Sequence, residues 1–149
     1  MTEVLFYHLT ESTLEEALPA LVERSLARGW KVVIQACSDE RRDALDQHLW
    51  TFREDAFIGH GTDHEPHAAE QPVLLTTGAG NANAAEIRFL VDGGRPPDLS
   101  QYQRVVFMFD GHDEMQLALA RQDWKAVRAA GHQATYWKQT PDRRWERQG

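Results

Sequence analysis

The sequence predicts an α/β fold, a single three-layer domain on a mainly parallel sheet. Three observations predict it. Short runs of β-branched and aromatic residues alternate with segments whose apolar residues recur at helical spacing. The chain opens in the order β-α-β-α, which implies parallel pairing through right-handed crossovers. Its 149 residues, 42% hydrophobic and 26% charged, suit one core.

Val4–Leu9 reads as a buried strand whose adjacent Phe6 and Tyr7 give it no clean alternation. A helix follows, capped by Thr10 or by a Ser12/Glu15 box. Leu14, Leu18, Leu21, Val22, Ser25 and Leu26 form its stripe, and Gly29 ends it. Lys31–Ala36 is a short apolar strand. Ser38 caps a second helix that runs to Trp50, with Asp39 and Glu40 in its first turn, where carboxylates suit the helix dipole. The segment Trp50–Pro72 is the least regular of the chain. Val73–Thr77, Ala84–Asp92 and Val105–Asp110 read as strands, and Ala82–Glu86 could instead open a short helix. A helix over Asp113–Ala130 ends at Gly131, and Gln133–Lys138 resembles a last strand. Residues 1–138 are therefore expected to form the domain, and 139–149 a loose tail.

Asp and Glu number 23 against 16 Lys and Arg, a formal net charge of −7. That balance argues against strong direct binding to nucleic acid, which draws mainly on clustered cations. No apolar run approaches a membrane span. The start, Met-Thr-Glu, has no signal-peptide pattern, and a cytoplasmic protein is expected. Cys37 is the only cysteine, so no internal disulfide can form, and it is expected to be a part-buried, inert thiol.

Three stretches could carry chemistry. His60-Gly-Thr-Asp63-His64-Glu65-Pro-His67 offers three imidazoles and two carboxylates, but its spacing fits no structural zinc pattern and is not His-Glu-x-x-His. Thr76–Asn83 bears glycines after a strand, yet contains neither Gly-Lys-Ser/Thr nor Gly-x-Gly-x-x-Gly. Asp110-Gly-His112-Asp113-Glu114 follows the carboxyl end of a strand, where acids could hold magnesium, but the same residues suit a helix start. The plainer reading is preferred for each, so no metal, cofactor or catalytic residue is expected. The enzyme alternative is a metal-dependent phosphoesterase using Asp110 and Asp113 or the His60–His67 region.

The Asp113–Ala130 helix is more informative. At helical spacing Leu117, Ala120, Trp124 and Val127 share one arc, and Arg121, Lys125 and Arg128 the next. Ala118, Ala126, Ala129 and Ala130 lie on another side, where small residues are expected to allow close approach to the sheet. Arginine grips a carboxylate with paired hydrogen bonds, and an indole offers flat apolar area. An acidic peptide ending in a hydrophobe fits that combination. The plainer alternative makes Trp124 core and the cations a solvated edge.

With these residues in view, the chain resembles the chi subunit of bacterial DNA polymerase III. The likeness lies in Val4–Leu9, Gly29–Ile34, Leu49-Trp50 with Ala56–Gly61, and Ala120–Gly131, in order over residues 2–138. The resemblance implies a Rossmann-like domain lacking a nucleotide site, and a non-catalytic replication adaptor without cofactors. It implies two partners: the psi subunit, which ties chi to the clamp loader, and the acidic C-terminal tail of single-stranded DNA-binding protein (SSB). It makes the chain a monomer or a chi–psi heterodimer. Arg121 would be the main tail-binding cation. Trp124 stands where a tyrosine is usual, Lys125 follows as in the family, and Arg128 adds to the basic surface. Leu117 stands where relatives can carry a basic residue. Trp50, Phe57 and Ile58 would contribute to psi binding, with Gly59 departing from the usual proline in that loop.

Overall fold

The chain runs through β1 (Glu3–Leu9), α1 (Leu14–Ala27), β2 (Val32–Gln35), α2 (Asp39–Thr51) and β3 (His60–Thr62). It continues through β4 (Val73–Thr76), β5 (Ile87–Val91), β6 (Arg104–Asp110), α3 (Glu114–Ala129), β7 (Gln133–Gln139) and β8 (Trp145–Arg147). The structure, a computed structural model, describes residues 2–51, 59–93 and 95–148. One eight-stranded sheet has the order β3-β4-β2-β5-β6-β1-β7-β8. Its pairings are parallel, apart from the antiparallel β7–β8 pair. The expected α/β fold on a mainly parallel sheet is thus the one observed.

Both faces of the sheet are covered. Leu5 and Leu9 join Leu18, Val22, Leu45 and Leu49 in the core under α1 and α2, while Val4 and Phe6 join Ala120 and Val127 in the core under α3. A strand buried on both sides has no polar face, which is why β1 shows no alternation. β1 does not pair with β2, because β6 and β5 stand between them. Its partners are β6 and β7, in one register that places Phe6 beside Phe107 and Tyr136, and His8 beside Phe109 and Lys138.

The start of α1 differs by one residue from the expected cap. Thr13 is the N-cap and closes a capping box with Glu16. Ser12 is occupied elsewhere, accepting a hydrogen bond from Gln139 Nε2 at 3.0 Å. Pro19 sits inside α1 and has no N–H for the Glu15 carbonyl one turn back. His48 Nε2 of α2 donates to that carbonyl instead, at 2.6 Å. Ser38 does act at the start of α2, where its Oγ accepts from the Arg41 N–H at 3.2 Å.

Four further expectations give way. Residues 139–149 do not simply trail off, since Trp145–Arg147 folds back as β8 along Trp137–Gln139. Ring contact between Trp145 and Tyr7, with centroids 4.6 Å apart, supplies the apolar contact that holds this return. Residues 60–62, within the segment read as irregular, extend the sheet as β3. Ala118, Ala126, Ala129 and Ala130 face outward, because the arc with larger apolar side chains gains more by facing the sheet. Cys37 is exposed rather than part-buried. No helix among the described residues is long and apolar enough to cross a membrane.

Gln139 ties the end of β7 to the turn after β1. Its buried side chain accepts at Oε1 from the N–H groups of Thr10, Glu11 and Ser12, at 3.2, 3.0 and 2.9 Å. Truncating it leaves three amides without their acceptor. Gln139→Ala should cost about 2 kcal/mol of stability, read as a lower denaturant midpoint at unchanged slope. An unaltered midpoint would show that the turn is held by other contacts.

Candidate functional site

α3 begins at Asp113, whose Oδ1 accepts from the N–H groups of Met115 and Gln116 at 2.9 and 3.1 Å. It ends before Gly131, which takes φ +86°, a conformation that glycine adopts without strain. Its rotation about its own axis is fixed from two sides. Ala120 and Val127 are buried against the sheet, and buried Asp123 pairs with Arg95 at 2.5 Å. Burial raises the pKa of Asp123, while Arg95 opposes that rise. With those positions fixed, Arg121 and Lys125 are left exposed, and Trp124 and Leu117 half-buried.

A hollow of about 470 Å³ opens between this helix and strands β6, β1 and β7. Phe109, Leu117, Ala120, Trp124 and Tyr136 supply rings and apolar walls, and Arg121, Lys125, His8 and Gln148 add the polar groups. Trp124 meets Phe6 edge to face at 5.3 Å and Tyr136 at 6.0 Å, so the indole is braced while one side faces the hollow. Phe6 in turn stacks on Phe107, centroids 4.6 Å apart. The guanidinium of Arg128 lies 5.5 Å from the centre of the Trp124 ring, a cation–π contact.

Leu117, Arg121, Trp124 and Lys125 are therefore brought together at one hollow, and Arg128 stands beside it on the indole. His8, Phe109, Tyr136 and Gln148 were not anticipated. They come from β1, β6, β7 and the end of the chain, and only the strand register gathers them. Trp50's side chain, Phe57 and Ile58 lie outside the described residues.

The sheet side of the hollow is polar. His8 Nδ1 lies 2.7 Å from the Tyr136 hydroxyl. Burial, then Lys138 and His112, holds the His8 pKa below the usual histidine range, with Asp110 opposing. Burial raises the Tyr136 pKa, with Arg121 opposing. Gly111 makes room for this arrangement. A Cβ there would come within 2.3 Å of His8 Nε2 and 2.7 Å of the Leu9 carbonyl oxygen.

Several residues of the other candidate stretches have structural partners. Asp113 caps α3, and Asp110 Oδ1 accepts from the His112 N–H at 2.8 Å. His60 is buried and 2.9 Å from the Asp46 carbonyl oxygen, whereas His64 and His67 are exposed and approach Asp63 and Glu70. The Thr76–Asn83 loop turns carbonyls, not amides, inward. Gly78 and Gly80 accept from the wholly buried Arg88, whose guanidinium also donates to Gln35 and Tyr102. At the carboxyl ends of β1 and β6 a second hollow, of about 300 Å³, is lined by Glu11, Glu15, Asp92 and Asp110. Arg41 bridges Glu15 and Asp92 there at 2.6 and 2.7 Å.

The family model described as DNA polymerase III chi subunit, HolC, matches residues 1–135. The DNA polymerase III subunit chi of Pseudomonas aeruginosa is 30% identical over 108 residues, covering 70% of this chain and 75% of that protein. The probable DNA polymerase III subunit chi of Rickettsia prowazekii is 27% identical over 105 residues, covering 70% of this chain. The matched part spans 62% of the Rickettsia protein, less than two thirds of its length. A basic, aromatic hollow on an acidic α/β domain thus occurs in a chain that belongs to the DNA polymerase III chi subunit family.

Proposed function

We propose that this chain is a non-catalytic replication adaptor of the cytoplasm, and that its α3 hollow takes the acidic C-terminal tail of SSB. The observation that carries the reading is the joint placement of Arg121 and Lys125 beside the half-buried Trp124. A tail that ends in a hydrophobe and a free carboxylate needs an apolar cavity next to cations. The indole, Phe109 and Leu117 offer the first and the two side chains of α3 the second. Phe6 and Tyr136 already hold the ring of Trp124, so little side-chain freedom remains to be lost on binding.

The second contact of the adaptor is with psi, through the segment that carries Trp50, Phe57 and Ile58. Family membership supports this reading. Together the two contacts would hold the clamp-loader complex to template strands coated by SSB. Direct binding of naked single strands would be weak, because the chain carries a net charge of −7.

Arg121→Ala should weaken the tail peptide by about 1.5–3 kcal/mol, the cost of losing a charged hydrogen bond. Calorimetry with the peptide and with a copy lacking its terminal residue reads this, and equal affinity for wild type and variant would remove the hollow from the reading. Binding should also fall with added salt, because the cations are exposed. Phe57→Ala should leave tail affinity nearly intact while reducing co-purification with psi. Loss of both together would contradict separate surfaces.

A further inference from the structure

We propose that Tyr136 donates a hydrogen bond to a carboxylate of the acidic peptide in the α3 hollow, and that His8 releases this donor by taking up a proton. The inference rests on the docking role proposed above and adds to it a positioning residue and a sense of pH.

The geometry is a single short contact. His8 Nδ1 and the Tyr136 oxygen are 2.7 Å apart, and both residues line the hollow that holds Arg121 and Lys125. A phenol has one proton to donate. When Nδ1 is bare, that proton points at His8 and the oxygen turns only lone pairs to the hollow, where they repel a carboxylate. When the ring is protonated, both nitrogens carry N–H. Nδ1 then donates to the phenol oxygen, the phenol proton is free to turn towards the ligand, and the ring brings a positive charge. The neutral ring with its proton on Nδ1 also frees the phenol, but without the charge.

The charges around His8 come from every side. Asp110 of β6, Lys138 of β7, and His112 in the turn before α3 act directly on its titration. Glu146 of β8 is paired in register with Lys138, and Arg121 and Lys125 approach from α3. Burial, Lys138 and His112 keep the ring mostly neutral near neutrality, while burial keeps the phenol protonated. A ligand carboxylate placed against the pair favours the imidazolium and raises its pKa. Binding therefore takes up a proton. The sign follows: affinity rises as pH falls through the His8 pKa of the complex, and levels off below the lower pKa of the free protein.

The test is calorimetry on the full chain with acetyl-Asp-Asp-Pro-Phe bearing a free C-terminus, at about pH 8 and about pH 6. The expected result is binding roughly threefold to tenfold tighter at the lower pH, with a heat that varies with buffer ionisation enthalpy in the sense of proton uptake. His8→Asn should abolish both effects, whatever affinity it shows at the higher pH. Tyr136→Phe should lose most of the gain at the lower pH, and it carries the test alone if the His8 variant does not fold. His112→Gln should retain the pH dependence. Equal wild-type affinity at both pH values, or pH dependence that survives His8→Asn, overturns the inference while leaving the docking role intact. A peptide that fails to bind wild type at either pH overturns both.

Discussion

β1 lies between β6 and β7, hydrogen-bonded in register to each, and that arrangement is the constraint on which the hollow depends. Residues far apart in sequence become neighbours through it. His8 is brought beside Phe109, and Phe6 beside Tyr136. A slip of one residue in either pairing would send these side chains to the opposite face of the sheet, among the contacts of α1 and α2. The helix then needs only to settle over Phe6 and Phe107 for Trp124 to be braced from below. The hollow beside α3 is thus an outcome of strand register as much as of helix sequence.

Local electrostatics separates this surface from the rest of the molecule. The hollow at the carboxyl ends of β1 and β6, a common ligand position in open α/β sheets, is acidic and already contains Arg41 bridging two carboxylates. The glycine-bearing Thr76–Asn83 loop is committed to an internal guanidinium, whose pKa is lowered by burial. Arg121 and Lys125, by contrast, stand exposed at the outer edge of α3, on a chain whose formal net charge is −7. Long-range repulsion from those acids weakens with salt sooner than the close contacts do, so selectivity for an anionic partner would rest on the immediate surroundings of Arg121 and Lys125.

Helix spacing made the α3 half of the site legible, because Arg121, Trp124 and Lys125 lie on adjacent arcs whatever the tertiary fold. The sheet half was not legible. His8 is an isolated polar residue in an apolar run and Tyr136 lies in a mixed one, and nothing in either says that the two strands are neighbours. The same reason explains β3, whose three residues are ordered by pairing with β4 and carry no apolar signature of their own. At the start of α1, Ser12 and Thr13 are equally good caps by type, and Gln139, more than a hundred residues away, decides between them. The outward-facing alanines show the reverse error. Small size permits close packing but supplies little driving force for it, and Leu117, Trp124 and Val127 outcompete them for the sheet.

Pro19 has a consequence of a different kind. The carbonyl it leaves bare within α1 receives its proton from His48, a residue of α2. Helix α1 is therefore incomplete as an isolated segment, and the Arg41–Glu15 pair adds a second link between the two helices. The two helices are bound into one cooperative unit on their side of the sheet, and loss of α2 would expose the weakest turn of its neighbour to water.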